Sequence, residues 1–214
     1  MPIKNDREYR NMTMEIRAAE TEEQAEKMVV RGYASTFNEP YTLYEDESWR
    51  FNEVVDKDAF QNTDMEDVIM QYDHEGRVFA RIRNNTLTVT PDDHGLLIEA
   101  DLGGTELGRQ LFEEIRGGYT DKMSFGFTVD AEDFLDTKDE DGKALTVRMI
   151  KSVRKLYDVS AVSLPANDAT EISVRNLTDG EIERISAERR EAEEMELRRL
   201  RAEIKAKAMS GGNK

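Results

Sequence analysis

From Met28 to Ser163 the apolar residues come in short runs of strand length, divided by turn-forming residues. Within that span only one stretch repeats at a sustained helical spacing: Leu107, Leu111, Phe112 and Ile115, after Thr105 as N-cap and before the stop Gly117-Gly118. Strands are expected at Met28–Ala34, around Trp49-Arg50-Phe51, at Asp67–Tyr72, Met123–Val129, Leu145–Ile150 and Lys155–Ser163. A hairpin is expected where Asn85–Thr90 and Leu96–Ala100 flank Pro91-Asp92-Asp93-His94-Gly95. Asp58-Ala59-Phe60 reads as a helical turn and the acidic Phe134–Lys143 as an exposed loop. The pattern predicts a mainly β domain of α+β type with a few peripheral helices.

The ends differ from this body. Met1–Asn11 is polar without periodicity and reads as a flexible arm, 1–11. Met14–Ala18 alternates and predicts a first strand, and Glu171–Val174 a last short one. The folded domain spans 12–177, and 178–214 is a charged segment and tail. Glu181–Lys207 carries eight acids and eight bases with no glycine or proline, which predicts a long, exposed helix over Thr178–Met209. Ile182 and Ile185 form one apolar patch, and Leu197, Leu200 and Ile204 another. The break between them argues against a sustained coiled coil.

Composition narrows the chemistry. The chain has no cysteine, which excludes disulfides, thiolate zinc sites and cysteine nucleophiles and fits a reducing compartment. Two histidines are too few for the commoner histidine-based zinc sites. No apolar run approaches the roughly 18 residues of a membrane span, and Met1–Asp6 lacks the apolar centre of a signal peptide, so a soluble, intracellular protein without a membrane partner is expected. The net charge of −16 argues against nucleic acid as a partner. It fits solubility and, secondarily, a preference for basic substrates or partners.

Ser124 stands in Met123-Ser124-Phe125-Gly126-Phe127 and His74 closes Val68-Ile69-Met70-Gln71-Tyr72-Asp73-His74. A serine hydroxyl is a weak nucleophile near neutral pH unless a positioned base takes its proton, and histidine is the usual base. With two histidines the possible arrangements are few. His94, in the hairpin turn, is expected to be exposed and uninvolved. Backbone amides near Phe125-Gly126 are candidate oxyanion donors, since glycine permits close approach.

Several stretches in order resemble the tailed-phage prohead maturation proteases, a family similar in fold to the herpesvirus assemblins. They are Arg7–Arg10, Val30–Phe37, Tyr72-Asp73-His74, Asp92–Leu96, Met123–Phe127 and Leu156–Asn167, which ends Ser163-Leu164-Pro165-Ala166-Asn167. The resemblance implies an antiparallel, assemblin-like β-barrel and a serine endopeptidase in which Ser124 is the nucleophile, His74 the general base and Asp158 the residue that orients His74. Asp73 is a rival orienter, but neighbours along an extended strand face opposite ways, which favours Asp158. The resemblance further implies cleavage of the scaffold or delta segment of the major capsid protein, and of the protease itself, inside the immature prohead in the bacterial host, and a homodimer. No metal or cofactor is implied. A competing reading is an inactive capsid-assembly scaffold or adaptor working through the charged C-terminal helix.

Overall fold

The computed structural model describes residues 7–12, 17–18 and 28–163, together with seven positions from Ala187 to Arg199. The chain divides into two units, Met1–Asn176 and Leu177–Lys214. Within the first unit the strands are β1 (Glu8–Met12), β2 (Arg17–Ala18), β3 (Val29–Thr36), β4 (Tyr41–Glu45), β5 (Trp49–Val55), β6 (Ile69–Tyr72), β7 (Glu75–Arg81), β8 (Leu87–Pro91), β9 (Gly95–Asp101), β10 (Lys122–Lys138) and β11 (Ala144–Val162). One helix, α1 (Glu106–Arg116), lies between β9 and β10.

Seven strands form one sheet in the order β1-β10-β11-β5-β4, with β6 on β11 and β7 on β6. The other four form a second sheet, β2-β3-β9-β8. β10 and β11 make the long antiparallel hairpin at the centre of the first sheet. The first part of β11 pairs in parallel with β5 and its last part in parallel with β6. The apolar core draws on both sheets: Val30, Ala34, Leu96 and Ile98 come from one, and Met70, Phe125, Phe127, Val159 and Ala161 from the other. α1 adds Leu111, Phe112 and Ile115, at roughly 1.5–3 kcal/mol for each large side chain taken from water. Thr105 caps it by accepting from the Gly108 amide at 2.9 Å, and Gly118 follows its end with φ of 73°.

The mainly β class agrees with the pattern of runs, but the rest of the expected architecture is corrected. The strands form two sheets with two parallel pairings rather than one antiparallel barrel. Alternation reports which residues share a face, not which strand lies alongside, and β11 is long enough to hold a different partner on each half. Among the described residues there is one α-helix instead of a few. The long helix expected over Thr178–Met209 is not among the elements; the seven positions described there, from Ala187 to Arg199, are helical. Its two separated apolar patches offer no continuous stripe to bury. The rest of that segment, the strand expected at Glu171–Val174 and the Pro165-Ala166-Asn167 turn lie outside the described residues.

Two smaller differences bear on the site. Glu8–Asn11, within the segment read as an arm, belongs to β1 and pairs with β10. Phe134–Lys138, read as loop, continues β10 and pairs with Ala144–Arg148.

Candidate active site

Alternation along β10 sends Met123, Phe125 and Phe127 into the core and leaves Ser124 and Gly126 on the opposite face. β11 lies alongside with Ser160 opposite Ser124 and Asp158 opposite Gly126. A serine, a carboxylate and a second hydroxyl thereby share one patch of sheet. β6 then runs parallel to the end of β11, Tyr72 against Ala161, and delivers the next residues over that patch.

Those residues are Asp73 and His74, with φ of 48° and 60°. They are the two central positions of a tight hairpin turn, since Tyr72 pairs with Glu75. Left-handed backbone at two non-glycine residues costs on the order of 1–3 kcal/mol each and persists only where the surroundings hold it. Here the Asp73 amide donates to the Ala161 carbonyl at 3.0 Å, and the Ser163 amide donates to the Asp73 carboxylate at 3.0 Å. The Ser163 hydroxyl adds a bond at 3.1 Å. Asp73 is therefore an anchor for the turn. The expected exclusion of Asp73 as orienter rested on an extended strand; the reason in the structure is this turn.

The turn swings the His74 ring between the two polar groups. Nε2 lies 2.5 Å from Ser124 Oγ and Nδ1 lies 2.5 Å from Asp158 Oδ1. The Ser160 hydroxyl donates to the same Oδ1 at 3.1 Å and stands 3.3 Å from Nδ1. Ser124 is 0% exposed, Asp158 1% and the His74 side chain 14%, so the contacts lie where water competes little. A neutral imidazole with its proton on Nδ1 donates to Asp158 and leaves Nε2 free to accept from Ser124. Asp158 Oδ2 is buried without a hydrogen-bond partner among the described residues, and the Arg7 guanidinium stands 3.9 Å from it.

Gly126 is required by contact rather than by dihedral angle. A methyl group there would stand 2.4 Å from Asp158 Oδ2 and 2.7 Å from Tyr9 Cε1. Phe125 and Gly126 lie mid-sheet between β1 and β11, so their amides face ladder neighbours. The expected role of these amides as oxyanion donors has no open cleft on that side.

Residues to which the sequence assigned no role at the site are Arg7 and members of β1 and β11. Tyr9 packs its ring 4.4 Å from the His74 ring. The Arg10 carbonyl accepts from Ser124 Oγ at 2.9 Å. The Arg7 guanidinium lies over Tyr157, 3.7 Å from the ring centre. The alternate β1 side chains, Glu8 and Arg10, enter a buried charge cluster. Arg10 donates to Glu53 at 2.5 and 2.8 Å, and Arg148 donates to Glu53 at 2.8 Å and to Glu8 at 2.6 Å. The Tyr41 hydroxyl also donates to Glu53. Burial pushes the Tyr41 hydroxyl well above its ordinary range, reinforced by the Glu53 charge. Burial alone would raise the Glu8 carboxyl, but the hydrogen bond from Arg148 and the charges of Arg10 and Arg148 hold it below the usual carboxylate range. Their signals in the sequence were the Asp158–Ser160 spacing of two and the place of Arg7–Arg10 among the stretches of the resemblance; the polar β1 showed no strand alternation.

His94 sits in the exposed β8–β9 turn with its ring edge-on to Tyr33, 4.6 Å between centres. Among the described residues no group of three or more histidines and carboxylates is placed to hold a metal ion.

The sequence model of the caudovirus prohead serine protease family matches residues 12–184, well over half of the chain. A search of curated proteins and one of solved structures found no match. The chain belongs to the caudovirus prohead serine protease family.

Proposed function

We propose that the chain is the endopeptidase that cuts the scaffold or delta segment of the major capsid protein, and its own chain, during prohead maturation. Family membership supports a capsid-maturation protease. The observation that carries the assignment of residues is the His74 ring, with one nitrogen 2.5 Å from the Ser124 hydroxyl and the other 2.5 Å from the Asp158 carboxylate.

In this reading Ser124 Oγ attacks the scissile carbonyl while His74 Nε2 takes its proton. Asp158 holds the ring by Nδ1 and stabilises the imidazolium as it forms. His74 passes the proton to the leaving amine, and water, activated by the same nitrogen, hydrolyses the ester on Ser124. Ser160 fixes the carboxylate oxygen that faces the ring. Asp158 has the shorter acidic side chain, and the β11–β6 parallel pairing brings His74 close enough for it.

The test is co-expression of the chain with the major capsid protein of its phage, comparing the unmodified enzyme with Ser124→Ala. New capsid-protein termini found by mass spectrometry with the unmodified enzyme and absent with the variant are expected. Cleavage that persists with Ser124→Ala would overturn the assignment. No helix among the described residues is long and apolar enough to cross a membrane, which accords with action inside a prohead.

A further inference from the structure

A peptide substrate must bring a carbonyl to Ser124 Oγ, and in this structure the Arg10 carbonyl occupies that place, accepting from Oγ at 2.9 Å. β1 lies antiparallel along β10 as the edge strand of the sheet, Asn11 opposite Ser124 and Tyr9 opposite Gly126. It covers the site completely enough that Ser124 is 0% exposed. Tyr9 lies on the His74 ring and Arg7 reaches toward Asp158. The serine hydroxyl has one proton and two acceptors, Nε2 and the Arg10 carbonyl, so the strand also competes with the base for the proton. No second extended chain fits between β1 and β10.

The side chain of Arg10 points to the other face of the sheet, into a seat built for a cation. Arg10 is 2% exposed and its guanidinium holds Glu53, itself 0% exposed, through two nitrogens. Without β1, Glu53 would keep Arg148 and Tyr41 as partners, and Arg148 would keep Glu132. Two carboxylates against one guanidinium leave that seat one positive charge short. The same departure would expose the β10 amides that face β1, which include candidate donors for an oxyanion.

We infer that β1 is a self-supplied occupant of the substrate strand site, and that the site takes an extended peptide added to the edge of β10 with an arginine or other basic residue seated on Glu53. This rests on the protease reading of Ser124 and names the substrate class of the same site. Strand addition to a sheet edge supplies main-chain hydrogen bonds irrespective of sequence, and the pocket for one side chain supplies the selectivity. β1 blocks the enzyme until it is displaced.

The experiment uses the full chain. A fluorescent peptide with the sequence of residues 8–12 is titrated into the double variant Ser124→Ala, Arg10→Ala, whose fold is checked by circular dichroism. A second peptide carries citrulline, neutral and of the same shape, in place of the arginine. Binding of the arginine peptide is expected, at least ~30-fold tighter than the citrulline peptide, with the difference erased by adding Glu53→Gln. Equal binding of the two peptides, or none to the folded double variant, overturns the inference. Should Arg10→Ala fail to fold, Glu53→Gln alone in the otherwise native chain gives a second reading. Its Ser124 should react faster with a fluorophosphonate, because β1 is held less firmly; an unchanged rate counts against the inference. Ser124-dependent cleavage of capsid protein that is indifferent to Arg10 and Glu53 would sink the inference and leave the protease. Arginine-selective peptide binding alongside cleavage that survives Ser124→Ala would sink the protease reading and leave the strand site.

Discussion

Gly126 lies directly opposite Asp158 in the β10–β11 ladder, and the carboxylate fills the space that a side chain at 126 would need. Gly126→Ala therefore moves Asp158 Oδ2 or Tyr9, and with the carboxylate goes the alignment of His74. A misplacement near 1 Å in such a site costs about 10²-fold in rate. We expect kcat for a peptide substrate to fall by that order while KM changes little, and steady-state kinetics on the folded variant checks it. Unchanged kcat would mean that Asp158 does not orient the ring.

Asp158→Asn keeps the shape of that side chain and removes its charge. The amide favours the tautomer with the proton on Nε2, which cannot accept from Ser124. A fall in kcat on the order of 10³–10⁴ is expected, with thermal stability largely retained. The same kinetics, paired with a melting curve, checks both halves.

Asp73 holds the turn that aims His74, through bonds from Ser163 and to Ala161. Asp73→Ala removes the acceptor for the Ser163 amide, an exposed hydrogen bond whose loss costs about 0.5–1.5 kcal/mol. Urea unfolding should show that loss, and kcat should fall with it because the ring is no longer held. Full stability and activity in the variant would show that the left-handed turn is held by other contacts.

Glu53 joins Arg10 of β1 to Arg148 of β11 in a cluster away from water. Removing one partner of a buried ion pair costs about 3–5 kcal/mol, because the other charges remain buried. Glu53→Ala should lower the free energy of unfolding by an amount of this order, and denaturant titration measures it. A loss under ~1 kcal/mol would show the cluster to be hydrated and weak.

Acid should loosen the same region. The folded-state pKa of Glu8 lies below its ordinary value of 4.5. Its stabilising contribution is thus fully present above pH 4.5 and is lost as pH falls through that value toward the lower folded-state one. Amide hydrogen exchange in β1 should quicken over that window in the native chain, and the Glu8→Gln variant should show a shallower change.

Much of the candidate site was legible in the sequence because the chemistry proposed for it depends on scarce residue types. Two histidines and a serine between apolar strand residues left few arrangements, and Asp158 followed from the family resemblance. The hairpin around Asp92–Gly95 and the cap at Thr105 were legible because turns and caps are local. β1 was not legible. Its buried side chains are the ions Glu8 and Arg10, and a strand that buries charge shows no apolar alternation. The continuation of β10 through Phe134–Lys138 was hidden for the opposite reason: its ladder partner holds it while its side chains stay largely exposed. Neither the left-handed pair Asp73-His74 nor the parallel pairings of β11 have a local signature, since partners distant in sequence impose them.

The most direct measurement of the central claim is the site of covalent modification by a fluorophosphonate, read by mass spectrometry of the digested protein. The full chain and its Arg10→Ala variant should each carry one adduct, on Ser124, and His74→Ala should abolish it in both. An adduct on another residue, or one on Ser124 that forms equally well without the imidazole, would contradict the account.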